Sequence, residues 1–297
     1  MKVVQMAYEA GPTGFGLARA LEAAGLPVLV VAPSRVVRPV SSGAKTDRLD
    51  CLKLAEYAMR GMLKPIAIPS ETEEAERSLV RRRHRVVDEV RRTKQRIKSL
   101  LLQFGCPEPR GLKNWSHKAV VELKELELPS VTGLTLASLI RELEWHQLEL
   151  RQLDGHIDEV LSAEKHQEEV ACLRSVPGVG PGVARAFRLE LYRPDRFRRA
   201  EEVASYLGLA PMVRHSGQGK AQGRIRPVGQ KRLRSLLIEA AWVWKSKDDY
   251  AAAWYGKLLS RHGLPQKAIT ALARKLAIIL WRLSLEKRPY RPKEIVA

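Results

Sequence analysis

The chain is poor in cysteine, in long apolar runs and, over its last third, in acid. Three cysteines, Cys51, Cys106 and Cys172, stand in 297 residues. An odd number at such wide spacing gives neither a disulfide framework nor a zinc knuckle, and leaves small buried apolar residues or free thiols. No stretch reaches the roughly 18–20 uninterrupted apolar residues that span a bilayer, and Met1 is not followed by a secretory apolar segment with a cleavage site. These absences point to the cytoplasm. The shortage of acid is local: residues 172–297 carry 26 basic and 9 acidic side chains, so that +17 of the formal +19 lies there. Such an excess creates a positive potential that draws polyanions, phosphate backbones above all. A ribosome-like or merely soluble basic surface is the plainer alternative. An anionic membrane suits the chain less well, because neither terminus offers a basic amphipathic helix with a clean apolar face.

What is present begins as α/β. "KVVQMAY" and "PVLVVAP" are short apolar runs on either side of "GPTGFGLARALEAAG", where Leu17, Ala20, Leu21 and Ala24 have helical spacing. Strand, helix, strand with both strands apolar throughout predicts a parallel pair buried on both faces. A helix follows from about Asp47 to Met62. From Thr72 to Phe104 a long charged helix is predicted, with Leu79, Val86, Val90, Ile97 and Leu100 on one side. A second series, Leu136, Leu139, Leu143, His146, Leu150, Leu153, Ile157 and Val160, alternates spacings of three and four as a coiled-coil seam does. The two helices can pair as a hairpin or across subunits, and Gly155 weakens the continuity of the second. His146 reads as a register-setting polar residue without chemistry.

The basic third opens on "LRSVPGVGPGVARAFRLEL". Gly178, Gly180 and Gly182, with Val176, Val179 and Val183 between them, resemble a helix-hairpin-helix, whose turn lets backbone N–H groups meet a phosphate. An ordinary helix-turn-helix corner is the alternative. Further on, Lys231, Arg232 and Arg234 open a helix in "GQKRLRSLLIEAAW". There Lys231 and Arg234 share a face suited to a phosphate backbone while Leu233, Leu236 and Leu237 face a core. Of Trp242, Trp244, Trp254 and Trp281, most are expected inside.

Three acids stand out by placement. Glu9 ends the first strand, where open α/β sheets bind ligands, and Asp47 and Asp50 in "KTDRLD" lie three apart on a predicted helix. Converging carboxylates suit Mg²⁺ in phosphoryl transfer; Asp47 serves equally as an N-cap, and an exposed pair can be simply solvated. In "MVRHSGQGKAQGRIRPVGQ", Ser216 sits among glycines, with Arg214, Arg224 and Arg226 able to neutralise phosphate charge. Taken alone, such a serine is more often a loop hydroxyl capping a turn.

"YEAGPTGFGLARALEAAG", "KTDRLDCLKLA", the heptad helices, "SVPGVGPGVA", "YLGLAP" and "SGQGKAQGRIRPVGQKRLRSLLIEAA" follow one another over nearly the whole chain. In that order they resemble the DEDD-type insertion-sequence transposases related to the Piv invertase. The resemblance implies three parts. These are an incomplete RuvC-like (RNase H-like) domain over residues 1–71, a coiled-coil helical region over 72–168, and a helical DNA-binding domain with the serine loop over 169–297. It implies that Glu9 is the family's second acid and Asp47 and Asp50 its closing pair, together holding Mg²⁺. It makes Ser216 the nucleophile that joins covalently to DNA. A structured guide RNA encoded by the element, a dimer or tetramer of the chain, and a place at the nucleoid are also implied.

The family's first acid lies in a stretch resembling "GIDVAK", which this chain lacks: only eight residues precede Glu9 and none is acidic. The sequence therefore reads as truncated, with unpaired edges at Val3–Met6 and Val28–Val31 and weak or absent recombinase activity. Two other functions stay open on the residues alone. One is a RuvC-like nuclease in which water attacks; the other is a nucleic-acid-binding remnant without catalysis.

Overall fold

A computed structural model describes residues 3–36, 47–212, 224–225 and 228–292. The chain divides into two compact units, Met1–Glu74 and Ala75–Ala297.

In the first unit β1 (Met6–Glu9) is followed by α1 (Gly16–Ala23), β2 (Val28–Val31) and α2 (Asp47–Met59). β1 and β2 pair in parallel, Met6 opposite Val28 and Glu9 opposite Val31. α1 packs on β2 and α2 on β1. The expected burial on both faces holds only for the end of β2. Val30 and Val31 are buried, whereas Met6 is exposed and Ala7, Tyr8 and Glu9 are half-buried. Two short strands with one helix against each leave the outer surface of β1 wet. The second edge of β2 is not bare: Val31 bridges Pro65 and the Ile66 N–H donates to Val30 O at 2.8 Å. Arg19 on α1 donates to Pro69 O (3.0 Å) and to Glu74, fastening the end of this unit to its first helix.

The long helix α3 runs Glu71–Gln103. Ser70 and Glu73 set its start reciprocally, the Ser70 N–H donating to Glu73 Oε2 (2.7 Å) and the Glu73 N–H to Ser70 Oγ (3.2 Å), which satisfies two otherwise orphaned groups. After it come α4 (His117–Lys124), α5 (Ser130–Leu161), α6 (Glu164–Arg174), α7 (Pro181–Leu191) and α8 (Ala200–Tyr206). The short strands β3 (Pro211–Met212) and β4 (Arg224–Ile225) precede α9 (Lys231–Lys247), α10 (Asp249–His262) and α11 (Pro265–Glu286). No described helix is long and apolar enough to cross a membrane.

α3 and α5 lie antiparallel within one chain. Arg83 bonds Asp154 (2.7 and 3.1 Å), Arg82 meets Glu149 (3.2 Å), and Thr93 and Arg96 both reach Glu142 (3.0 and 2.9 Å). The seam is rotated from the predicted one. Leu136, Leu143, Leu153 and Ile157 are buried as expected, but Ile140 and Leu161 replace Leu139 and Val160, which are half-buried. A straight helix of 3.6 residues per turn drifts off a strict seven-residue repeat. α5 continues through Gly155, because the paired flanking turns hold that position helical.

Two cores result. At the far end of the hairpin Ile97, Leu101, Leu112, Leu123, Leu136, Ile140 and Leu143 cluster. At its base Val80, Ile157 and Leu161 join a larger core built on α6, α7, α9 and α11 around Phe187, Leu237, Trp244 and Leu276. Trp244 and Trp281 are inside, Trp254 is half-buried, and Trp242 is exposed. The three cysteines are free, Cys172 buried and Cys51 exposed.

Candidate nucleic-acid-processing site

Glu9 closes β1, and Asp47 and Asp50 occupy the first turn of α2, both exposed. Carboxylates in a first helical turn are favoured by the positive end of the helix dipole, which accounts for their residue type without a ligand. Among the described residues no three His, Cys, Asp or Glu side chains gather closely enough to hold a metal ion. As placed, the three acids do not fit a metal centre by themselves.

Ser216, Arg214 and Arg226 lie outside the described residues, and of Arg224 only the backbone is described. The flanks of that segment form a β pair. β3 and β4 form an antiparallel pair, Pro211 opposite Ile225 and Met212 opposite Arg224, so the chain before residue 213 lies beside the chain after residue 223. Behind this pair the chain crosses itself at two glycines. Gly208 (φ 69°) and Gly229 (φ 88°) have left-handed backbones. A Cβ on Gly208 would stand 2.2 Å from Val228 O, and one on Gly229 2.6 Å from Gly208 N. Only glycine fits either position. Arg234 from the first turn of α9 closes the crossing, its Nη1 donating to Gly208 O and Val228 O at 3.2 Å each. The Gln230 N–H adds a bond to Tyr206 O (3.2 Å), and the Tyr206 hydroxyl donates to Glu190 O (3.0 Å).

The three cations that open α9 have different surroundings. Arg234 turns inward to backbone carbonyls, because two left-handed glycines expose them beside it. Arg232 is held by Asp88 at 2.6 Å. Lys231 alone of the three is exposed, with no side-chain partner among the described residues. Leu233 and Leu237 are buried as predicted.

The α6–α7 corner keeps Val176 and Val179 buried. Gly178 (φ 88°) packs beneath α9: a Cβ there would stand 2.7 Å from Trp244 N and 2.8 Å from Ala240 O. Close helix approach therefore accounts for that glycine. Gly180 and Gly182 have nothing within 4 Å of an added Cβ; the first is the N-cap of α7 and the second lies in its first turn.

Matches to known proteins fall on both halves of this arrangement. The model for the transposase IS116/IS110/IS902 family matches residues 170–256, and the DEDD-type IS110 transposase model matches residues 2–106. The protein y4rJ of Sinorhizobium fredii, named as a transposase, is 30% identical over 304 residues, covering 92% of this chain and 75% of its own. The chain belongs to the IS110/IS116 transposase family. It is also similar to the transposase for insertion sequence element IS1111A of Coxiella burnetii, 28% identical over 90% of this chain and 74% of the relative. The transposase for IS1328 of Yersinia enterocolitica is 28% identical over 89% and 79%.

In this IS110/IS116 transposase the sequence concealed an ionic cluster beneath α9. Glu190 is buried on α7 and accepts from Arg81 Nε (2.7 Å) and Nη2 (2.9 Å) and from Arg77 (3.4 Å). Arg77 and Arg196 stack on Tyr192 at 4.7 and 4.3 Å from the ring centre. His84, buried alongside, has its pKa pushed down to about 4 by burial and then by the Arg232 charge, so it is neutral at pH 7. An isolated Glu in a basic stretch signals such a buried acceptor only weakly, since its arginines lie over a hundred positions away.

Proposed function

We propose that this transposase moves an insertion sequence by cutting and rejoining DNA strands with Ser216 as nucleophile, guided by an element-encoded RNA and acting as a homo-oligomer. The observation that carries the reading is the fastening of both ends of the Ser216 segment by β3, β4 and Arg234 directly ahead of α9. A nucleophile must be delivered within about 3–3.5 Å of its target, and a segment with clamped ends loses less freedom in doing so. Attack by the serine oxygen on phosphorus exchanges one phosphodiester bond for a phosphoserine ester, so a strand hydroxyl can later reverse the exchange without an outside energy source. Arg214, Arg224 and Arg226 are assigned to the charge on the phosphate oxygens. Lys231, with Gly180 and Gly182 at the α6–α7 corner, is assigned to the backbone.

Magnesium dependence enters from the resemblance and is assigned to Glu9, Asp47 and Asp50. Among the described residues these acids do not come together around an ion. The test is to trap a covalent protein–DNA adduct on element-end DNA with its RNA present. Wild type should form it and Ser216→Ala should not. Strand cleavage persisting in Ser216→Ala would replace the serine with water as the attacking group.

A further inference from the structure

α5 carries a second heptad series, on the side turned away from α3. Val131, Leu134, Ser138, Arg141, Trp145 and Leu148 follow spacings of three and four, and all six are exposed. The four large apolar members are open to solvent to 74%, 71%, 54% and 48%. The inward series is already satisfied by the hairpin and its core. An isolated exposed leucine needs no explanation, but a stripe in heptad register along about 27 Å of one helix is a pairing surface.

Charge selects what covers it. Residues 130–152 hold two basic and three acidic side chains, so this helix, unlike residues 172–297, carries no positive excess to draw phosphate. Most of its charges are already spent within the chain: Glu142 on Arg96, Glu144 on Lys124 and Glu149 on Arg82. Arg141 and Arg151 are the exceptions, both exposed and with no ion-pair partner among the described residues, and of the two only Arg141 lies in the stripe. A parallel copy of α5 would set two Arg141 guanidinium groups against each other. An antiparallel copy removes the clash. Val131 then falls opposite the partner's Leu148 and Leu134 opposite the partner's Trp145. Ser138 meets the partner's Arg141, with the hydroxyl accepting from the guanidinium. Every layer joins residues of opposite heptad position, as antiparallel seams do, and no like charges meet.

We propose that this outer face of α5 joins two copies of the chain as an antiparallel helix pair. The pairing rests on the homo-oligomer of the proposed function and gives it a location. Its test measures mass rather than strand cleavage, so the two can fail separately.

The experiment is sedimentation equilibrium on the nucleic-acid-free full chain, over roughly 1–100 µM, the range in which a small interface associates. Leu134→Lys and Trp145→Glu, each alone, should weaken dimerisation at least about tenfold by placing a charge in an apolar layer. Together they should restore most of it, because an ammonium and a carboxylate now face each other across both symmetry-related layers. Both side chains are exposed, so unchanged helical circular dichroism and melting will show that folding is intact. A wild type that stays monomeric throughout, single variants that dimerise normally, or a double variant no better than the singles would overturn the proposal. So would single variants that lose oligonucleotide binding while keeping their dimer, which would make the face a nucleic-acid surface.

Discussion

Arg234 donates from one nitrogen to the carbonyl oxygen of Gly208, twenty-six positions earlier in the chain. The same nitrogen reaches Val228 O, so a single guanidinium group ties together the two stretches of chain that lie on either side of β3 and β4. Hydrogen bonds from a charged donor are worth more than neutral ones.

Arg234→Ala should therefore act on positioning rather than on affinity. We expect a loss of about 1–3 kcal/mol in unfolding stability, the usual worth of hydrogen bonds made by a charged group, read from urea titrations. The covalent DNA adduct should fall far more steeply than DNA binding does. Equal losses in both would show that Arg234 is a phosphate contact after all.

Lys231→Ala should behave in the opposite way. Its ammonium is exposed and holds nothing in the fold, so melting should be unchanged. DNA affinity should fall for every sequence alike, with the slope of log affinity against log salt reduced by about one. An unchanged slope would remove Lys231 from the interface.

The contrast between these two residues shows what was legible in the sequence. Periodicity revealed α3, α5 and the parallel β1–β2 pair, because burial on one face writes itself into residue spacing. It also placed Leu233 and Leu237 inside. It could not separate Lys231 from Arg234, since both are cations on one turn. The difference lies in carbonyls exposed by the left-handed backbones of Gly208 and Gly229, and a residue list does not display where those point. Glu190 was hidden for the same reason: its arginines come from α3, more than a hundred positions away. The outer face of β1 stayed wetter than its apolar sequence suggested, because composition does not count neighbouring strands.

Gly178 and Gly180 should respond differently to the same methyl group. At Gly178 an added Cβ meets the α9 backbone at under 3 Å and the residue also has φ 88°. Gly178→Ala should cost at least about 2 kcal/mol from strain and forced helix separation. Gly180→Ala meets nothing within 4 Å and should stay within about 1 kcal/mol. Thermal unfolding of both variants decides the matter. Equal, small losses would mean that α9 does not press on this corner.

His84 makes the stability of the helical unit depend on pH in a defined window. Its pKa in the folded chain is about 4, against an ordinary 6.5. Above pH 6.5 it is neutral in both states and contributes no pH dependence. Between 6.5 and 4 the unfolded chain binds a proton that the folded chain refuses, so stability falls as the pH falls. Burial dominates the shift and the Arg232 charge adds to it, while Glu190 and Asp88 oppose it. The loss between pH 7 and pH 4.5 should be about 1–3 kcal/mol. Urea unfolding of wild type against His84→Gln, which has no titrating ring, isolates the effect: the two curves should draw together as the pH is lowered through 6. If their difference stays constant across that range, His84 takes up its proton at the same pH in the folded and the unfolded chain, and neither burial nor the Arg232 charge holds it neutral.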